Sequence, residues 1–395
     1  MKILITTGIY PPDIGGPATY SKLLFDELPQ RGIDVEVLSF GEVRHLPKII
    51  RHLFYFFKII KRIKGCDVIY AQDPVSVGLP TMLANIFLKK RFFIRIAGDY
   101  AWEQGVQRFR VKDNLDIFSL KNNYGFVVKF FKKIQTWVAK RAEKVVVPSH
   151  YFKSIILNWG IESKKIEVIY NGIKINEPRV HKVESKVLLS VGRLVPWKGF
   201  KVLIETIPDI LQEIPEAKLV IVGSGPQKEE LEQTIEKLNL EDKVILVGQL
   251  SRDKLLKQKQ LADIFVLNTN WESFSFDTVE AMALGLPVLA TKVGSLPELI
   301  ENNQEGILVE PNDKEAIKNA VIKIFQNDNF RQTLVQNAYE KSKQFSIQNT
   351  LDKLEKLLRE GILYTELMES KKEFEEDGGF IVANSLKETL EKYKK

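Results

Sequence analysis

The chain has 395 residues, 44% hydrophobic and 28% charged, and is therefore long enough for two or three domains with separate cores. Its single cysteine excludes an intrachain disulfide and a cysteine-based metal site. Residues 1–184 hold 30 Lys and Arg against 17 Asp and Glu, a net +13, whereas the remainder is net −6. This asymmetry predicts an anionic partner for the N-terminal half: a membrane surface, a polyphosphate or a nucleic acid.

The sequence also limits the cellular compartments in which the protein is expected. The first residues are typical of a β-strand rather than of a signal peptide. Every apolar run is broken by Lys or Arg well short of about 18 residues, so we expect no transmembrane helix. We predict a cytoplasmic protein, with a peripheral position on the inner face of the membrane as an open alternative.

In the first half, short buried strands alternate with helices such as Thr19–Gln30, which predicts a parallel sheet covered on both faces. The strands are predicted at Lys2–Gly8, Asp34–Ser39, Asp67–Tyr70, Phe92–Ile96 and Lys144–Val147. In the loop after the first strand, Gly15 and Gly16 let the backbone approach a ligand closely, or simply form a turn. The loop lacks the G-x-G-x-x-G spacing of a dinucleotide site.

A basic helix is predicted over Val43–Lys64, which has no acidic residue and more aromatic side chains than one buried stripe needs. That composition is typical of a helix on a membrane surface, although a sheet-covering helix with a solvated basic edge fits it too. Phe126–Lys144 has the same character and favours the membrane slightly. The aromatic residues follow apolar helical rows, which disfavours stacking on nucleic-acid bases.

Polar and aromatic groups follow the strand that ends near Gly98. Because ligands of open α/β sheets bind at the carboxyl ends of strands, Asp99 is a candidate ligand for sugar hydroxyls and Trp102 for a sugar face. The plainer alternative is that Asp99 caps the next segment.

An aperiodic stretch at Tyr170–Ser185 predicts an interdomain linker. Strands then resume, with predicted ranges Val187–Val191, Leu219–Val222, Val244–Val247, Ile264–Leu267, Val288–Ala290 and Gly306–Val309. We therefore predict an α/β protein with a first domain over residues 1–180, a second over 181–345, and C-terminal helices over 346–395.

Two stretches of the second domain carry candidate chemistry. After its first strand, Arg193 and Lys198 flank a loop in which two cations can grip a diphosphate, and Gly192 keeps the backbone clear. Later, Glu272 lies in a loop and Glu280 in a predicted helix over Phe276–Leu284, whose N-terminal N–H groups are a natural seat for a phosphate.

These motifs together resemble the retaining glycosyltransferases of glycosyltransferase family 4. The resemblance rests on VGRLVPWKG (191–199), VGSGP (222–226), ESFSFDTVEAMALGLPV (272–288), GSLPELI (294–300) and GILVEPND (306–313), with a looser match before residue 186. It implies the GT-B fold: two Rossmann-like doubly wound domains facing each other, with nucleotide sugar on the second, acceptor on the first, no essential metal and no cofactor. It also implies a C-terminal helix that crosses back to the first domain.

The resemblance assigns roles residue by residue. Arg193 and Lys198 match the pair that neutralises the leaving diphosphate, Glu272 the acidic residue beside the transferred sugar, and Glu280 the carboxylate that binds ribose. Backbone contacts to the donor are implied for the glycine loop and for the residues before the helix: Gly15, Gly16, Gly192, Ser273, Phe274, Ser275 and Phe276. Asp99 stands where the family often has a histidine, and Ser273 and Ser275 where it often has glycines.

The leading hypothesis is an enzyme of envelope-glycan or polysaccharide biosynthesis. It would transfer a hexosyl residue from a UDP- or GDP-sugar to a glycan or lipid-linked hydroxyl with retention. The alternatives are a nucleotide-sugar epimerase on the same fold and a module that binds nucleic acid or an anionic surface. An epimerase would release nucleoside diphosphate without an acceptor.

Overall fold

The computed structural model describes residues 1–13, 15–175 and 185–360. The chain divides into two compact units, Met1–Leu351 and Asp352–Lys395. Of the second unit only residues 352–360 are described, and they continue a helix that begins at residue 347. We call residues 1–175 the first lobe and residues 185–342 the second lobe of the larger unit. In the three described ranges, no helix combines the length and apolar character needed to cross a bilayer.

The first lobe contains a six-stranded parallel sheet with the order β2-β1-β3-β4-β5-β6. Its strands are β1 Lys2–Thr7, β2 Asp34–Ser39, β3 Val68–Ala71, β4 Arg91–Arg95, β5 Lys144–Val147 and β6 Ile166–Val168. The inner strands β3 and β5 are short apolar runs that are almost wholly buried, as a parallel sheet with both faces covered requires, whereas the edge strands β2 and β6 are only partly buried.

Seven helices connect these strands. They are α1 Gly16–Glu27, α2 Lys48–Ile63, α3 Gly78–Leu88, α4 Tyr100–Arg108, α5 Leu115–Leu120, α6 Phe126–Arg141 and α7 His150–Asn158. In α2, Tyr55, Ile59 and Ile63 lie four residues apart on one face of the helix and are fully buried in the core of the first lobe. The predicted basic helix therefore covers the sheet with one face.

The second lobe repeats the plan with the strand order β12-β11-β10-β7-β8-β9. Its strands are β7 Val187–Val191, β8 Lys218–Val222, β9 Val244–Gly248, β10 Ile264–Leu267, β11 Val288–Thr291 and β12 Ile307–Val309. Counted from β7, this is the 3-2-1-4-5-6 order of the doubly wound nucleotide-binding fold. The prediction of two Rossmann-like sheets is confirmed.

The helices of the second lobe complete its two outer layers. They are α8 Phe200–Glu213, α9 Lys228–Lys237, α10 Arg252–Leu261, α11 Phe276–Ala283, α12 Leu296–Leu299, α13 Lys314–Gln326 and α14 Asp328–Ser342. The next helix, over residues 347–360, begins beside the end of the first lobe. There the Ile347 N–H donates to the Ile173 carbonyl at 3.0 Å and the Thr350 hydroxyl to the Tyr170 carbonyl at 2.8 Å.

The predicted domain boundaries stay predictions. The first boundary, at residue 180, lies within residues 176–184, which are outside the described part of the chain. Residues 361–395 of the predicted C-terminal segment also lie outside the described part.

Candidate active site

The candidate site lies where the strand order of the second sheet reverses. Strands β7 and β10 are hydrogen-bonded neighbours, with Leu188 opposite Ile264. Their following loops run in opposite directions around the sheet, which is where doubly wound folds open a ligand crevice. Arg193 follows β7 and Glu272 follows β10, so the topology brings the two predicted loops together.

Lys198 and Glu272 form an ion pair across these loops. The Lys198 Nζ lies 2.7 Å from the Glu272 Oε2, and both side chains are mostly buried. The next residue, Gly199, has a φ of +58°, and a Cβ there would lie 2.4 Å from the Asn268 carbonyl oxygen. Only glycine fits this position, and it fixes the direction in which Lys198 leaves the loop.

The loop that carries Glu272 is held from its other side by Gly294. This glycine has a φ of +56°, and a Cβ on it would approach the Glu272 carbonyl oxygen to 2.1 Å. The Ser295 N–H donates to the same carbonyl at 3.0 Å. The GSLPELI motif therefore supports the Glu272 loop from behind.

Helix α11 begins directly after this loop. The Ser275 hydroxyl caps it by accepting from the Thr278 N–H, and the first intrahelical bond runs from the Val279 N–H to the Ser275 carbonyl. Other N–H groups of the first turn precede that bond, so the helix start can receive an anion. Ser273 and Phe274 are buried, and the Phe274 ring packs on Tyr170 and Phe345.

Glu280 is buried one turn further along α11 and is paired with two cations of α10. Its Oε2 lies 2.6 Å from the Lys259 Nζ, and its Oε1 contacts the Arg252 guanidinium. Lys259 also lies 2.7 Å from the Asp277 Oδ1. Burial by itself would raise the pKa of Asp277, but Lys259, Lys198 and Arg252 together hold it below its ordinary value.

The glycine loop of the first lobe lies against the start of α11. It occupies the switch point of its own sheet, where β1 lies between β2 and β3. A Cβ on Gly16 would lie 3.6 Å from the Phe276 ring, and Gly15 is the residue that precedes α1. The structure thus brings Gly15, Gly16 and Phe276 together from two lobes.

Arg193 is exposed and acts electrostatically on Glu103 of the first lobe. The pKa of Glu103 is raised to about 7, chiefly by burial and also by Asp99 and Asp73, while Arg193 opposes the rise. Glu103 lies under Gly98, where a Cβ would approach its Oε1 to 2.5 Å. The loops that contain Gly192 and Gly223 also lie very close together, since a Cβ on Gly223 would lie 1.9 Å from the Gly192 carbonyl oxygen.

For Asp99 the structure shows the plainer of the two predicted roles, and its role as a sugar ligand stays a prediction. Asp99 is fully buried, and its Oδ1 accepts from the Trp102 N–H at 2.9 Å and from the Gln135 Nε2 at 3.0 Å. Its burial raises its pKa. The plainer alternative, a cap for α4, is the role that the geometry gives it.

Trp102 likewise packs against protein rather than lying open to a sugar. Its ring centroid is 5.0 Å from that of Trp271 and 5.8 Å from that of Trp197. The three rings join the first lobe to both loops of the candidate site.

Three residues of the site were not assigned a role by the sequence. Lys259 is surrounded in α10 by lysines of the same appearance, so nothing local marks it as buried. Glu103 follows the same strand end as Asp99, and nothing local in the sequence marks it as a buried carboxyl. Glu298 lies in the GSLPELI motif, and its carboxylate accepts from the His150 N–H at 2.9 Å and the Tyr170 hydroxyl at 3.0 Å.

Within the described part of the chain, His, Cys, Asp and Glu side chains form no group of three or more that could hold a metal ion. The charged groups gathered around the two loops are instead cations and carboxylates in direct contact. This arrangement can receive a diphosphate through paired cations and a helix start, and a sugar or ribose through carboxylates.

Each lobe matches a known family model. The family model for glycosyltransferase family 4 matches residues 14–177, and the model for group 1 glycosyl transferases matches residues 173–341. An uncharacterized glycosyltransferase of Methanocaldococcus jannaschii is 35% identical over 86% of this chain and 94% of its own. The N-acetyl-alpha-D-glucosaminyl L-malate synthase of Bacillus anthracis is 21% identical over 86% and 92% of the two chains.

Solved structures show the same fold. The Anabaena protein HepE in complex with UDP-glucose is 21% identical and covers 91% of this chain and 100% of its own, with a TM-score of 0.72. The lipopolysaccharide outer core galactosyltransferase WaaB is 19% identical over the same shares, with a TM-score of 0.65. Together with the relative that spans most of both chains, these likenesses show a GT-B glycosyltransferase, and the chain belongs to glycosyltransferase family 4.

Proposed function

We propose that the protein transfers a hexosyl residue from a UDP- or GDP-sugar to a hydroxyl acceptor with retention of configuration and without a metal. The observation that carries this proposal is the meeting of Lys198, Glu272 and the start of α11 at the switch point of the second sheet. Arg193 follows the same strand as Lys198 and lies toward the first lobe.

The charges match the reaction. Breaking the bond between sugar and diphosphate develops negative charge on the leaving group and positive charge on the sugar ring. Arg193, Lys198 and the N–H groups at the start of α11 stabilise the first. Glu272, 2.7 Å from Lys198, places a carboxylate at the boundary between phosphate and sugar and stabilises the second.

The contact of Glu272 with Lys198 bears on how the proposed retention is achieved. Its Oε2 is held by Lys198, which lowers its reactivity as a nucleophile and suits it to electrostatic stabilisation. We therefore propose front-face attack, in which the leaving phosphate accepts the proton of the acceptor hydroxyl. Glu272 forms no covalent bond to the sugar in this mechanism.

The acceptor is proposed to be lipid-linked, because the first lobe carries exposed apolar side chains on its basic helices. On α2, Leu53, Phe54 and Phe57 are each more than half exposed, and on α6 Phe126 is 84% and Phe130 51% exposed. Helix α3 contacts both α2 and α6. A surface of this kind fits the interface of an anionic bilayer, and a peripheral position there would bring the first lobe to its acceptor.

The phosphate-clamp role is tested by Arg193→Ala and Lys198→Ala, with Lys201→Ala as the matched control. Lys201 lies three residues after Lys198 but is exposed and paired with Glu230. Each site variant should lose on the order of 10²–10³ in turnover and bind nucleoside diphosphate more weakly, since one charge contact to the leaving group is missing. The control should keep both properties.

Turnover is measured as nucleoside diphosphate released in the presence of acceptor, and the anomeric configuration of the product by NMR. Normal turnover in both site variants would refute the clamp. An inverted anomeric centre would refute the proposed mechanism while leaving the clamp intact.

A further inference from the structure

Lys259 is a fully buried cation placed between two carboxylates of another helix. Its Nζ lies 2.6 Å from the Glu280 Oε2 and 2.7 Å from the Asp277 Oδ1. Asp277 and Glu280 are three residues apart on α11, so they share a face. Arg252 and Lys259 are seven apart, two turns of α10, and meet them from one side.

The cluster consists of Arg252, Lys259, Asp277 and Glu280. Because most of it is buried, its cations and carboxylates must pair with one another. A lysine ammonium removed from water costs several kcal/mol unless carboxylates and hydrogen bonds compensate it. Here two cations face two carboxylates, and the net charge of the four groups is zero. Without Lys259, Glu280 would keep only Arg252, whose side chain is 49% exposed.

The two oxygens of Glu280 are therefore held differently. Oε2 is fixed by Lys259, which has no exposed surface, whereas Oε1 meets a cation that can move into solvent. A ligand that displaces Arg252 would take its place at Oε1, while Oε2 stays paired with Lys259. Such an arrangement sets the orientation of the carboxylate before a ligand arrives.

We infer that Lys259 is a positioning residue for recognition of the donor ribose. It fixes the Glu280 carboxylate through Oε2 and turns Oε1 toward the ribose hydroxyls, which displace Arg252 when they bind. This inference rests on the proposed function, in which Glu280 is the ribose ligand. It adds that the ribose contact depends on Lys259 and not on Arg252 or Asp277.

The test compares the affinities of a nucleoside diphosphate and of its 2′-deoxy and 3′-deoxy forms by isothermal titration calorimetry, with UDP and GDP as the parent probes. A ribose hydroxyl bound to a carboxylate contributes about 1.5–3 kcal/mol, so the wild type should prefer the parent by about 10- to 100-fold. Lys259→Met should reduce this preference to a few-fold. Glu280→Gln should do the same.

Two matched variants separate positioning from general stability. Asp277→Asn removes the other carboxylate of Lys259, and Arg252→Ala removes the other cation of Glu280; both should keep the full hydroxyl preference. If Lys259→Met does not fold, Lys259→Met with Asp277→Leu replaces the buried pair with apolar groups and should show the same loss of preference.

The outcomes distinguish the two claims. Loss of the preference in Glu280→Gln but not in the Lys259 variants would overturn the positioning role and leave Glu280 as the ribose ligand. Full preference in Glu280→Gln would overturn Glu280 as the ribose ligand, and a wild type that binds neither UDP nor GDP would overturn the proposed function itself. Loss of preference in Asp277→Asn equal to that in Lys259→Met would also overturn the inference, because Lys259 would then act only as part of a structural cluster.

Discussion

Glu103 is a carboxyl beside the donor loops whose pKa is raised in the folded protein. Its ordinary pKa is 4.5, and burial, with Asp99 and Asp73, raises the folded value to about 7 despite the neighbouring Arg193. The folded protein therefore keeps a proton that the unfolded chain releases between these values. The stability that this proton contributes is fully present below about pH 4.5 and is lost as the pH rises to about 7.

Glu103→Gln should remove this dependence on pH. The free energy of unfolding of the variant, relative to that of the wild type, should rise by about 2 kcal/mol between pH 5 and pH 8. Urea unfolding at the two pH values measures it. Glu216→Gln, an exposed carboxyl on the second lobe, is the control and should show no such change. A constant difference for Glu103→Gln would mean that its carboxyl ionises normally.

At the scale of residues, the sequence predicts which side chains lie in loops after strands. It does not predict which polar side chains are buried. Arg193, Lys198 and Glu272 follow strand ends, so topology alone brings their loops together. Asp99 also follows a strand end, yet it points inward to cap α4. Lys259 looks like its exposed neighbours, and only the packing of α10 on α11 shows which lysine is inside.

At the scale of elements, α7 of the first lobe is capped by the second lobe. Its own Ser149 accepts from the Phe152 N–H and donates to the Ser273 carbonyl at 2.7 Å. The helix has no acidic residue in its first turn. Glu298 of α12 supplies that charge, accepting from the N–H groups of His150 and Tyr151.

Glu298→Ala should lower the free energy of unfolding by about 1–3 kcal/mol, because the N–H groups of His150 and Tyr151 and the Tyr170 hydroxyl lose a charged acceptor. Glu301→Ala, an exposed carboxylate three residues on, should change it little. Thermal or urea unfolding measures both. Equal effects of the two changes would show that the contact between the lobes contributes nothing to stability.

Helix α2 has one buried face and one exposed apolar face, so its second role can be tested without unfolding the protein. Phe54→Ser with Phe57→Ser should reduce binding to phosphatidylglycerol vesicles at least about tenfold, since each exposed ring offers more than 1 kcal/mol of apolar burial. Phe25→Ser, which changes an exposed phenylalanine on α1, is the control. Unchanged co-sedimentation of the double variant would refute the membrane surface.

Part of the charge on α2 is already paired within the protein. Lys58 and Arg62 contact Glu42, and Arg62 also contacts Glu36. These pairs were not visible in the sequence, because Glu36 and Glu42 precede the helix and reach it only through the fold. The apolar side chains therefore carry more of the membrane proposal than the net charge suggested.

The sequence predicts the strands better than the helices. Strands β2, β5, β7 and β10 have the predicted bounds. Strands β5, β7 and β10 are mainly apolar runs, and β2 alternates apolar with polar residues. Helices α3, α4 and α5 were not predicted. Helix α3 is apolar on most of its surface and shows little periodicity, while α4 and α5 are short and depend on the caps Asp99 and Asn114.

On the scale of the whole molecule, each lobe contains a parallel sheet, and loops that follow strands of both sheets meet at the candidate site. The first lobe reaches the donor loops through the Gly16 contact to Phe276, the three tryptophans and Ser149. The alternation of strands and helices in both lobes was readable from the sequence, whereas the two strand orders were not predicted. The contacts between the lobes were not readable either, since they join residues 95 or more positions apart.

The central claim is that a nucleoside diphosphate binds with its phosphates at Arg193, Lys198 and the start of α11 and with its ribose at Glu280. The most direct measurement is a crystal structure of the protein with whichever of UDP, GDP or ADP raises its melting temperature most. We predict phosphate oxygens within about 3 Å of the Lys198 Nζ and the Arg193 guanidinium, with ribose hydroxyls at the Glu280 carboxylate. A nucleotide bound elsewhere, or one that touches none of these three side chains, would contradict the account.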